Sequence, residues 1–472
     1  MIVSETERLN SPDQIGSVDK INAIFYGRFQ YPWISSSFDC LTDPDFETVM
    51  LNQTLGSWDL SAIPRNPRIW VAGCGTNQAI FTALRFPGAS VVGSDLSVES
   101  LETCATHAAQ LGIANLTLKQ ESINEVGYRE EFDHVICTGV IHHNADIQAC
   151  LNKLRNALKP AGVLELMVYN HYHRIQAIAC QEALKAFVKD NTEDDYESHL
   201  DARLQIVKML MNGTQLESAV MQHFLAGFKD VPETALADTL LQPVEQAFTI
   251  SSLMSLTAGS GLECVTPCIN QFDKTLRSFS WNMDFGNPKL QNYYDALPDL
   301  RRWQVSNHLK LDKSPMLWFY FQRNDAGREI KSERQLCREF LDRSFAKAQT
   351  KKRVYMVDLQ GKYELAAPEI PHPVLPHPEP FCQRILDSLA GESSEPMRNI
   401  LERLGMKLTF QAINKLRLTL TTNAFPYLRS EAALPQTSKE SAEGAQCESQ
   451  GQARAKRSAS PLGCDKAREV KA

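Results

Sequence analysis

Between residues 65 and 170, short runs rich in β-branched and apolar residues alternate with segments of helical periodicity. The runs predict strands, and the segments between them predict helices that end at stop signals such as Lys159-Pro160-Ala161-Gly162. The predicted strands cover 68–72, 90–94, 116–119, 134–138 and 163–168, and the predicted helices cover about 77–86, 98–111 and 145–158. This alternation is typical of a parallel sheet with helices on both faces. We therefore expect an α/β fold with a doubly wound sheet.

The alternation of predicted strands and helices ends after Asn170. Residues 171–250 read as largely helical and amphipathic, and a helix at 252–261 and a strand at 262–266 follow them. An aromatic strand is predicted at 316–322. The segment 270–313 between these strands carries several aromatic residues and is expected to lie over the sheet edge.

The part beyond Asn324 reads as a small, separate module. We predict a helix from there to about 349, a strand at 353–359 and helices near 380–390 and 394–405. The proline-rich run 368–378 is expected to be extended, since each proline disfavours helix at the residue before it. From residue 431 the chain has almost no large apolar side chain, so 431–472 is predicted to be a disordered tail.

Composition limits the class of protein. The 472 residues are 43% hydrophobic and 22% charged, which excludes a fully disordered chain or a disulfide scaffold. With 49 basic and 56 acidic residues the net charge is −7, which provides no global basic field for nucleic acid or an anionic membrane. The twelve cysteines are widely spaced, and this is typical of proteins whose thiols stay reduced. No signal peptide or apolar run of about 20 residues is present, so we expect a soluble, cytoplasmic protein.

The strongest motif is Val71-Ala72-Gly73-Cys74-Gly75-Thr76-Asn77-Gln78, which follows the first predicted strand of the sheet. Its glycines permit positive φ and let a ligand approach the backbone closely. Asp95 ends the next strand, and its separation from Gly73 along the sequence is about that expected for an acid that binds ribose hydroxyls. A dinucleotide fingerprint would need a glycine or alanine where Gln78 stands, which disfavours a nicotinamide-dependent oxidoreductase.

This loop resembles the first motif of the class I S-adenosylmethionine-dependent methyltransferases, a strand followed by Gly-x-Gly-x-Gly. Asn77 takes the place of the third glycine and is expected to preserve the turn, since asparagine tolerates positive φ. The resemblance extends to Glu121-Ser122-Ile123, to 132–143 with its Ile141-His142-His143 ending, and to 154–164. It covers about 68–323.

The resemblance implies a Rossmann-like sheet that is mostly parallel with an antiparallel last strand, for which 316–322 is the candidate. It implies S-adenosyl-L-methionine as cofactor, with the loop glycines against its methionine part, Asp95 on the ribose, and Leu96 and Ser122 at the adenine. The cofactor-binding residues expected in this way are Gly73, Cys74, Gly75, Asn77, Gln78, Asp95, Leu96, Glu121, Ser122 and Gly139.

Side chains that follow the fourth and fifth strands are candidates for catalysis and acceptor binding, because ligands of open α/β sheets lie at the carboxyl edge. His142 or His143 is a candidate general base, although the pair can equally orient the cofactor or cap a helix. Tyr169, Asn170 and His171 are candidates for the acceptor pocket, with packing as the alternative. We expect no metal site, because Cys264, Cys268, His171 and His173 are too isolated in the sequence to form one.

The predicted organisation is an N-terminal cap or lid (1–60), a methyltransferase domain (61–323, with a helical insertion at 171–250 and the aromatic excursion at 270–313), an appended α+β module (324–430) and the tail. The aromatic cluster of 25–33 is either a lid over the cofactor or a surface-anchoring patch. We expect methyl transfer to an O, N or C nucleophile of a small-molecule acceptor. The alternatives are a protein methyltransferase that docks its substrate through 324–430, and a catalytically silent cofactor-binding scaffold.

Overall fold

The computed structural model describes residues 12–32, 34–188, 196–212, 214–389 and 395–431, with side chains from residue 16 onward. The segment predicted as a tail lies outside the described residues, apart from its first residue. In the described part of the chain, no helix is both long and apolar enough to cross a bilayer.

The strands of the described residues are numbered in chain order. They are β1 (Ser37–Leu41), β2 (Arg68–Ala72), β3 (Ser90–Asp95), β4 (Leu116–Gln120), β5 (Phe132–Thr138), β6 (Leu158–Val168), β7 (Leu262–Pro267), β8 (Leu317–Arg323), β9 (Phe345–Lys347), β10 (Thr350–Val357), β11 (Tyr363–His372), β12 (Phe425–Pro426) and β13 (Leu428–Ser430).

The helices are numbered in the same way. They are α1 (Pro12–Arg28), α2 (Phe46–Thr54), α3 (Gln78–Arg85), α4 (Val98–Gln110), α5 (Ile147–Ala157), α6 (His171–Phe187), α7 (Tyr196–Met211), α8 (Ala219–Ala226), α9 (Glu233–Leu240), α10 (Ile250–Gly259), α11 (Gln271–Thr275), α12 (Pro288–Asp295), α13 (Asp299–Lys310), α14 (Glu333–Asp342), α15 (Pro380–Ser388), α16 (Met397–Arg403) and α17 (Phe410–Thr421).

Seven strands form the central sheet in the order β4-β3-β2-β5-β6-β8-β7. The five strands β2 to β6 are parallel, and β8 is antiparallel to both of its neighbours, β6 and β7. The doubly wound, mostly parallel sheet with an antiparallel last strand is thus confirmed. Strand β8, the last strand of this sheet in the sequence, lies between β6 and β7 and not at the edge of the sheet.

Both faces of the sheet are buried, as expected for parallel strands covered by helices. On one face Trp70 and Phe132 share a core with Phe319. On the other face Ile69 and Val71 share a core with residues of α3 and α4. Because strands β2 to β6 are parallel, all five end at the same carboxyl edge of the sheet, where the loops that follow them meet.

The excursion 270–313 packs on a face of the sheet, so its expected place over the edge is wrong. Trp281 and Trp303 each lie 5.8 Å from Phe319, between ring centroids, and both are buried. Phe319 is on β8, which has a neighbour on either side. The aromatic residues of the excursion therefore complete the core under an interior strand.

The helix predicted from 324 to about 349 is wrong in length, because α14 occupies only Glu333–Asp342. Residues that follow it form β9, which pairs with β13, and β10, which pairs with both β1 and β11. These partners lie far away in the sequence, so the local helical pattern of the segment does not reveal them. The extended conformation predicted for the proline-rich run 368–378 is seen only as far as His372, where β11 ends, and 373–378 lie outside any strand.

Candidate active site

The glycine loop joins β2 to α3 at the carboxyl edge of the sheet. Gly73 and Gly75 both adopt positive φ, at +69° and +51°. A Cβ atom on Gly73 would lie 2.5 Å from the Val140 side chain, and one on Gly75 would lie 2.3 Å from the Tyr31 carbonyl oxygen. Glycine is therefore required at both positions by backbone conformation and by close contact. Cys74 between them is buried, and its amide donates to the Ser94 carbonyl (2.9 Å).

Asn77 departs from the expected conformation. Its φ is −132°, so the positive φ expected for the third glycine position is wrong. The reason is that α3 begins at the next residue, which makes Asn77 the N-cap residue of a right-handed helix. Gln78, the first residue of α3, accepts a hydrogen bond from Thr138 Oγ1 (2.8 Å) and ties the loop to the end of β5. Asparagine thus replaces glycine here without backbone strain.

Asp95 ends β3 beside the glycine loop. Its Oδ2 accepts from the Gly75 amide (2.8 Å), and its Oδ1 accepts from the Ser97 amide (3.0 Å). Burial raises the pKa of the carboxyl. Because a carboxylate offers about four lone-pair sites, these two amides orient the group and leave acceptor capacity for sugar hydroxyls.

The residues expected at the adenine end follow β3 and β4. Leu96 is half-buried, and its carbonyl accepts from Gln120. Glu121 accepts from the Tyr128 hydroxyl (2.6 Å), and Ser122 donates to Asp19 on α1 (2.5 Å). The end of β4 is therefore in contact with the N-terminal helix.

Helix α1 lies along the carboxyl edge. Besides its contact with Ser122, Asp19 accepts from Asn124 Nδ2 (3.1 Å), and Asn22 Nδ2 donates to the His143 carbonyl (3.0 Å). The segment that follows α1 crosses the glycine loop, where Thr76 Oγ1 donates to the Pro32 carbonyl (2.5 Å). The segment that carries the aromatic cluster therefore lies against this edge, and its role as a lid over the cofactor stays a prediction; Trp33 lies outside the described residues.

Gly139, at the end of β5, has φ +79°. A Cβ atom placed on it would meet only the Met167 Cε within 4 Å, at 3.7 Å. The backbone of Gly139 therefore has no side chain packed closely over it. The positive-φ glycines of the loop, the oriented Asp95 carboxylate and the end of β5 are the groups that would hold the methionine, ribose and methyl-bearing parts of S-adenosylmethionine.

His142 and His143 are both buried in a short 3-10 turn after β5. The His142 ring packs 3.9 Å from the Tyr169 ring, between centroids, and among the described residues neither of its nitrogens has a hydrogen-bond partner. His143 Nδ1 donates to the Val244 carbonyl (2.8 Å), which leaves its Nε2 as the acceptor. Burial lowers the pKa of His142 well below its usual value and that of His143 to about 4. Both imidazoles are therefore neutral near pH 7.

The three predicted pocket residues have different surroundings. Tyr169 is half-buried, and the Arg174 guanidinium lies 4.3 Å from its ring centroid. The Asn170 amide caps α6 through Tyr172 N and also bonds Asn307, Ser314 and Pro315, so all four of its hydrogen-bond positions are used. His171 is exposed at the start of α6. Of the three, Tyr169 is the one that lies near a buried aspartate, Asp238.

The polar groups around Asp238 were not predicted from the sequence. Asp238 on α9 is buried, and Gln242 Nε2 donates both to Asp238 Oδ1 and to the Tyr26 hydroxyl (2.9 Å each). Tyr31 and Tyr169 lie within the electrostatic reach of the same carboxylate. The available signal was an acid inside the otherwise apolar run Ala235-Leu236-Ala237-Asp238-Thr239-Leu240-Leu241.

Comparison with known proteins identifies the domain that carries this site. A family model described as a methyltransferase domain matches residues 71–218, which include the glycine loop, Asp95 and the histidine turn. Those residues form a class I S-adenosylmethionine-dependent methyltransferase domain. The cofactor of this methyltransferase is S-adenosyl-L-methionine.

Individual relatives are distant. An uncharacterized protein of Synechococcus sp. is 26% identical over 290 residues, which are 57% of this chain and 66% of that protein. A ubiquinone biosynthesis O-methyltransferase of Neisseria meningitidis is 27% identical over 186 residues, 39% of this chain and 76% of that enzyme. Among solved structures, PKMT2 from Rickettsia typhi has the same fold, with a TM-score of 0.50 at 13% identity over 83% of this chain and 76% of that one.

Proposed function

We propose that this methyltransferase acts on a small-molecule acceptor that binds between Gly139, Tyr169 and the helices covering the carboxyl edge. The observation that carries the proposal is that α1 and the helical insertion both cover this edge. Tyr26 of α1 meets Gln242 and Asp238 of the insertion there. A site roofed from two sides favours a compact acceptor over a folded polypeptide.

The bound cofactor supplies a methyl group made electrophilic by its sulfonium. The chain's own contribution is to hold the two reactants in line and to exclude water, which is where most of the acceleration in such a transfer arises. We propose that Gly73, Gly75 and Asp95 fix the cofactor and that the residues around Tyr169 fix the acceptor. His142 and His143 remain candidates for proton transfer, and their neutral state makes them acceptors of a proton rather than donors.

A protein acceptor is the alternative. Such a substrate would have to reach the space over Gly139 as an extended segment beneath α1. Docking through 324–430 stays a prediction. The silent-scaffold interpretation rested on Asn77, and the negative φ of that residue removes its support.

Transfer of a labelled methyl group tests the proposal. The full chain is incubated with S-adenosylmethionine labelled in the methyl group and with a fractionated cell extract. We expect label in the low-molecular-mass fraction and a loss of that label in Asp95→Ala. Label confined to polypeptide would contradict the small-molecule acceptor and favour the alternative.

A further inference from the structure

Four side chains from separate parts of the chain meet beside the cofactor loop, and we call them the Asp238 cluster: Tyr26, Tyr31, Tyr169 and Asp238. Tyr26 is on α1, Tyr31 follows it, Tyr169 follows β6, and Asp238 is on α9. The three tyrosines are half-buried, whereas Asp238 is only 8% exposed. The cluster therefore combines one buried carboxylate with three partly buried phenol groups.

The charge of Asp238 is only partly offset by the neighbouring Arg174, whose field reaches the carboxylate but whose hydrogen bonds go to other groups. Arg174 Nε donates to Glu245 Oε1 (2.7 Å), a second nitrogen donates to the other oxygen of Glu245, and the same nitrogen donates to the Thr239 carbonyl (3.0 Å). Arg174 and Glu245 thus form a neutral, buried pair. In the part of the chain that the structure describes, no cation lies within ion-pair distance of the Asp238 carboxylate.

A second buried aspartate shows what a structural carboxylate looks like in this protein. Asp273 accepts from Asn270 Nδ2 (2.7 Å) and from the Met316 amide (3.2 Å), so both of its oxygens are used. Asp238 accepts only the Gln242 donor among the described residues. Burial raises the pKa of each carboxyl to about 6. Asp238 therefore bears the cost of burial without the partners that Asp273 has.

The surroundings of Asp238 supply hydrogen-bond acceptors for a cation. Burial, and next the negative charge of Asp238, raise the pKa of Tyr31 and Tyr169, so their hydroxyls stay neutral. Burial likewise raises the pKa of Tyr26. A carboxylate beside neutral phenol oxygens is a suitable environment for the N–H donors of an ammonium group.

We propose that the Asp238 cluster is the acceptor subsite and that it binds a small molecule carrying a cationic amino group. This inference rests on the proposed function and gives it a substrate class. Asp238 pairs with the amino group, since Arg174 is hydrogen-bonded to Glu245 and not to Asp238, and the tyrosines supply neighbouring hydroxyl groups. Charge selects the acceptor, because a neutral analogue of the same shape leaves the carboxylate unpaired.

A matched pair of probes tests the proposal by binding alone. Calorimetry of the full chain, saturated with S-adenosylhomocysteine at pH 8, compares 2-phenylethylamine with 2-phenylethanol. For the wild type we expect the amine to bind at least about tenfold more tightly than the alcohol, a typical effect of one charged hydrogen bond. In Asp238→Asn the two probes should bind within about twofold to threefold of each other. Asp273→Asn, the matched control, should keep the wild-type preference.

Each other result counts against the subsite. A wild type that binds both probes equally, or binds neither, overturns it, and so does an Asp238→Asn variant that keeps the preference. Failure of the proposed function is a separate result, because it would appear as a wild type that does not bind S-adenosylhomocysteine. Retained S-adenosylhomocysteine affinity in Asp238→Asn shows that the variant is folded.

The preference should also depend on pH. As the pH falls from 8 to 5 the Asp238 carboxylate takes up a proton, and the amine loses its advantage while remaining protonated itself. The other titratable groups around the carboxylate are Tyr26, Tyr31, Tyr169, Arg174, Glu245 and the His142–His143 pair. The phenols and Arg174 keep their charge state over this range. A preference that does not fall toward pH 5 would contradict the assignment.

Discussion

Gly75 shows how one residue is held by two constraints. Its φ of +51° favours glycine, and the Tyr31 carbonyl leaves no room for a side chain. Gly112 also has a positive φ, +66°, but has open space where a Cβ would be. The pair separates the conformational constraint from the contact constraint.

We therefore predict that Gly75→Ala is the more damaging of the two substitutions. Gly112→Ala should lower the free energy of unfolding by about 1 kcal/mol through its positive φ alone. Gly75→Ala should lower it by about 2–3 kcal/mol and should also weaken S-adenosylhomocysteine binding, because the segment that follows α1 must shift away from the loop. Urea unfolding and calorimetry measure the two effects. Equal losses in both variants would mean that the Tyr31 contact is unimportant.

Asp238 gives a prediction about stability. Its pKa in the folded protein is raised to about 6, so between about pH 4 and 6 the folded state binds more protons than the unfolded state. The contribution of Asp238 to the free energy of unfolding should therefore fall with rising pH across that window and then level off. Asp238→Asn removes this loss and should be more stable than the wild type at pH 8 by about 1–3 kcal/mol.

Thermal or urea unfolding of both proteins from pH 4 to 8 measures this difference. Asp201→Asn, at an exposed surface ion pair with Arg28, is the control and should change stability by less than about 1 kcal/mol. A wild type that is more stable than Asp238→Asn at pH 8 would show that the carboxylate has a stabilising partner.

At the scale of elements, α1 is attached to the carboxyl edge by few polar contacts. Asp19 binds both Ser122 and Asn124 and is the main one at the end of β4. Asp19→Ala should make α1 open more readily, with amide exchange in 16–28 faster by about tenfold, since a hydrogen bond to a charged group contributes about 1.5–3 kcal/mol. Exchange in β5 should be unchanged and serves as the internal control. Unaltered protection of α1 would place its attachment elsewhere.

The central sheet was predictable because each strand and helix has its own local pattern. Strand β2 was predicted to the residue, and the other sheet strands within two residues at most ends, with β6 beginning five residues earlier than expected. The strand β1 and the pairings of β9 to β13 were not predictable, since β1 pairs with a strand some 310 residues away. The register of such pairs depends on tertiary packing, which no local window contains.

The same distinction holds in the candidate site. The glycines and Asp95 lie at fixed spacings within one βαβ unit, so the sequence displays them. The Asp238 cluster draws on α1, the end of β6 and α9, and it forms only when the insertion packs against the sheet. Asn77 was misjudged because the family pattern suggested a glycine conformation that the start of α3 makes unnecessary.

At the scale of the whole molecule, the described residues between 12 and 431 belong to one compact unit. A buried ionic network joins its later parts. Arg302 on α13 donates to Asp299 (2.6 Å) and to Glu333 on α14 (2.7 Å), and Asn414 on α17 donates to Glu333 (3.1 Å). Arg302 is 1% exposed and Glu333 is 4% exposed. The aromatic excursion and the C-terminal helices are thus connected through one carboxylate.

Removing that carboxylate should destabilise the unit as a whole. Glu333→Ala leaves Arg302 buried with Asp299 as its remaining anion, and we expect a loss of about 3–5 kcal/mol in the free energy of unfolding. Glu369→Ala, which breaks an exposed pair with Lys351, should leave the free energy of unfolding nearly unchanged. Urea unfolding followed by tryptophan fluorescence compares them. Similar small losses in both would show that the network does not support the fold.

Calorimetric titration of S-adenosylhomocysteine into the wild type and into Asp95→Ala is the sharpest test of the cofactor site. We expect binding by the wild type and an affinity lower by about 10- to 100-fold in the variant, because a charged acceptor for the ribose hydroxyls is lost. Asp201→Asn should bind as the wild type does. An Asp95→Ala affinity equal to that of the wild type would contradict the assignment of this crevice as the cofactor site.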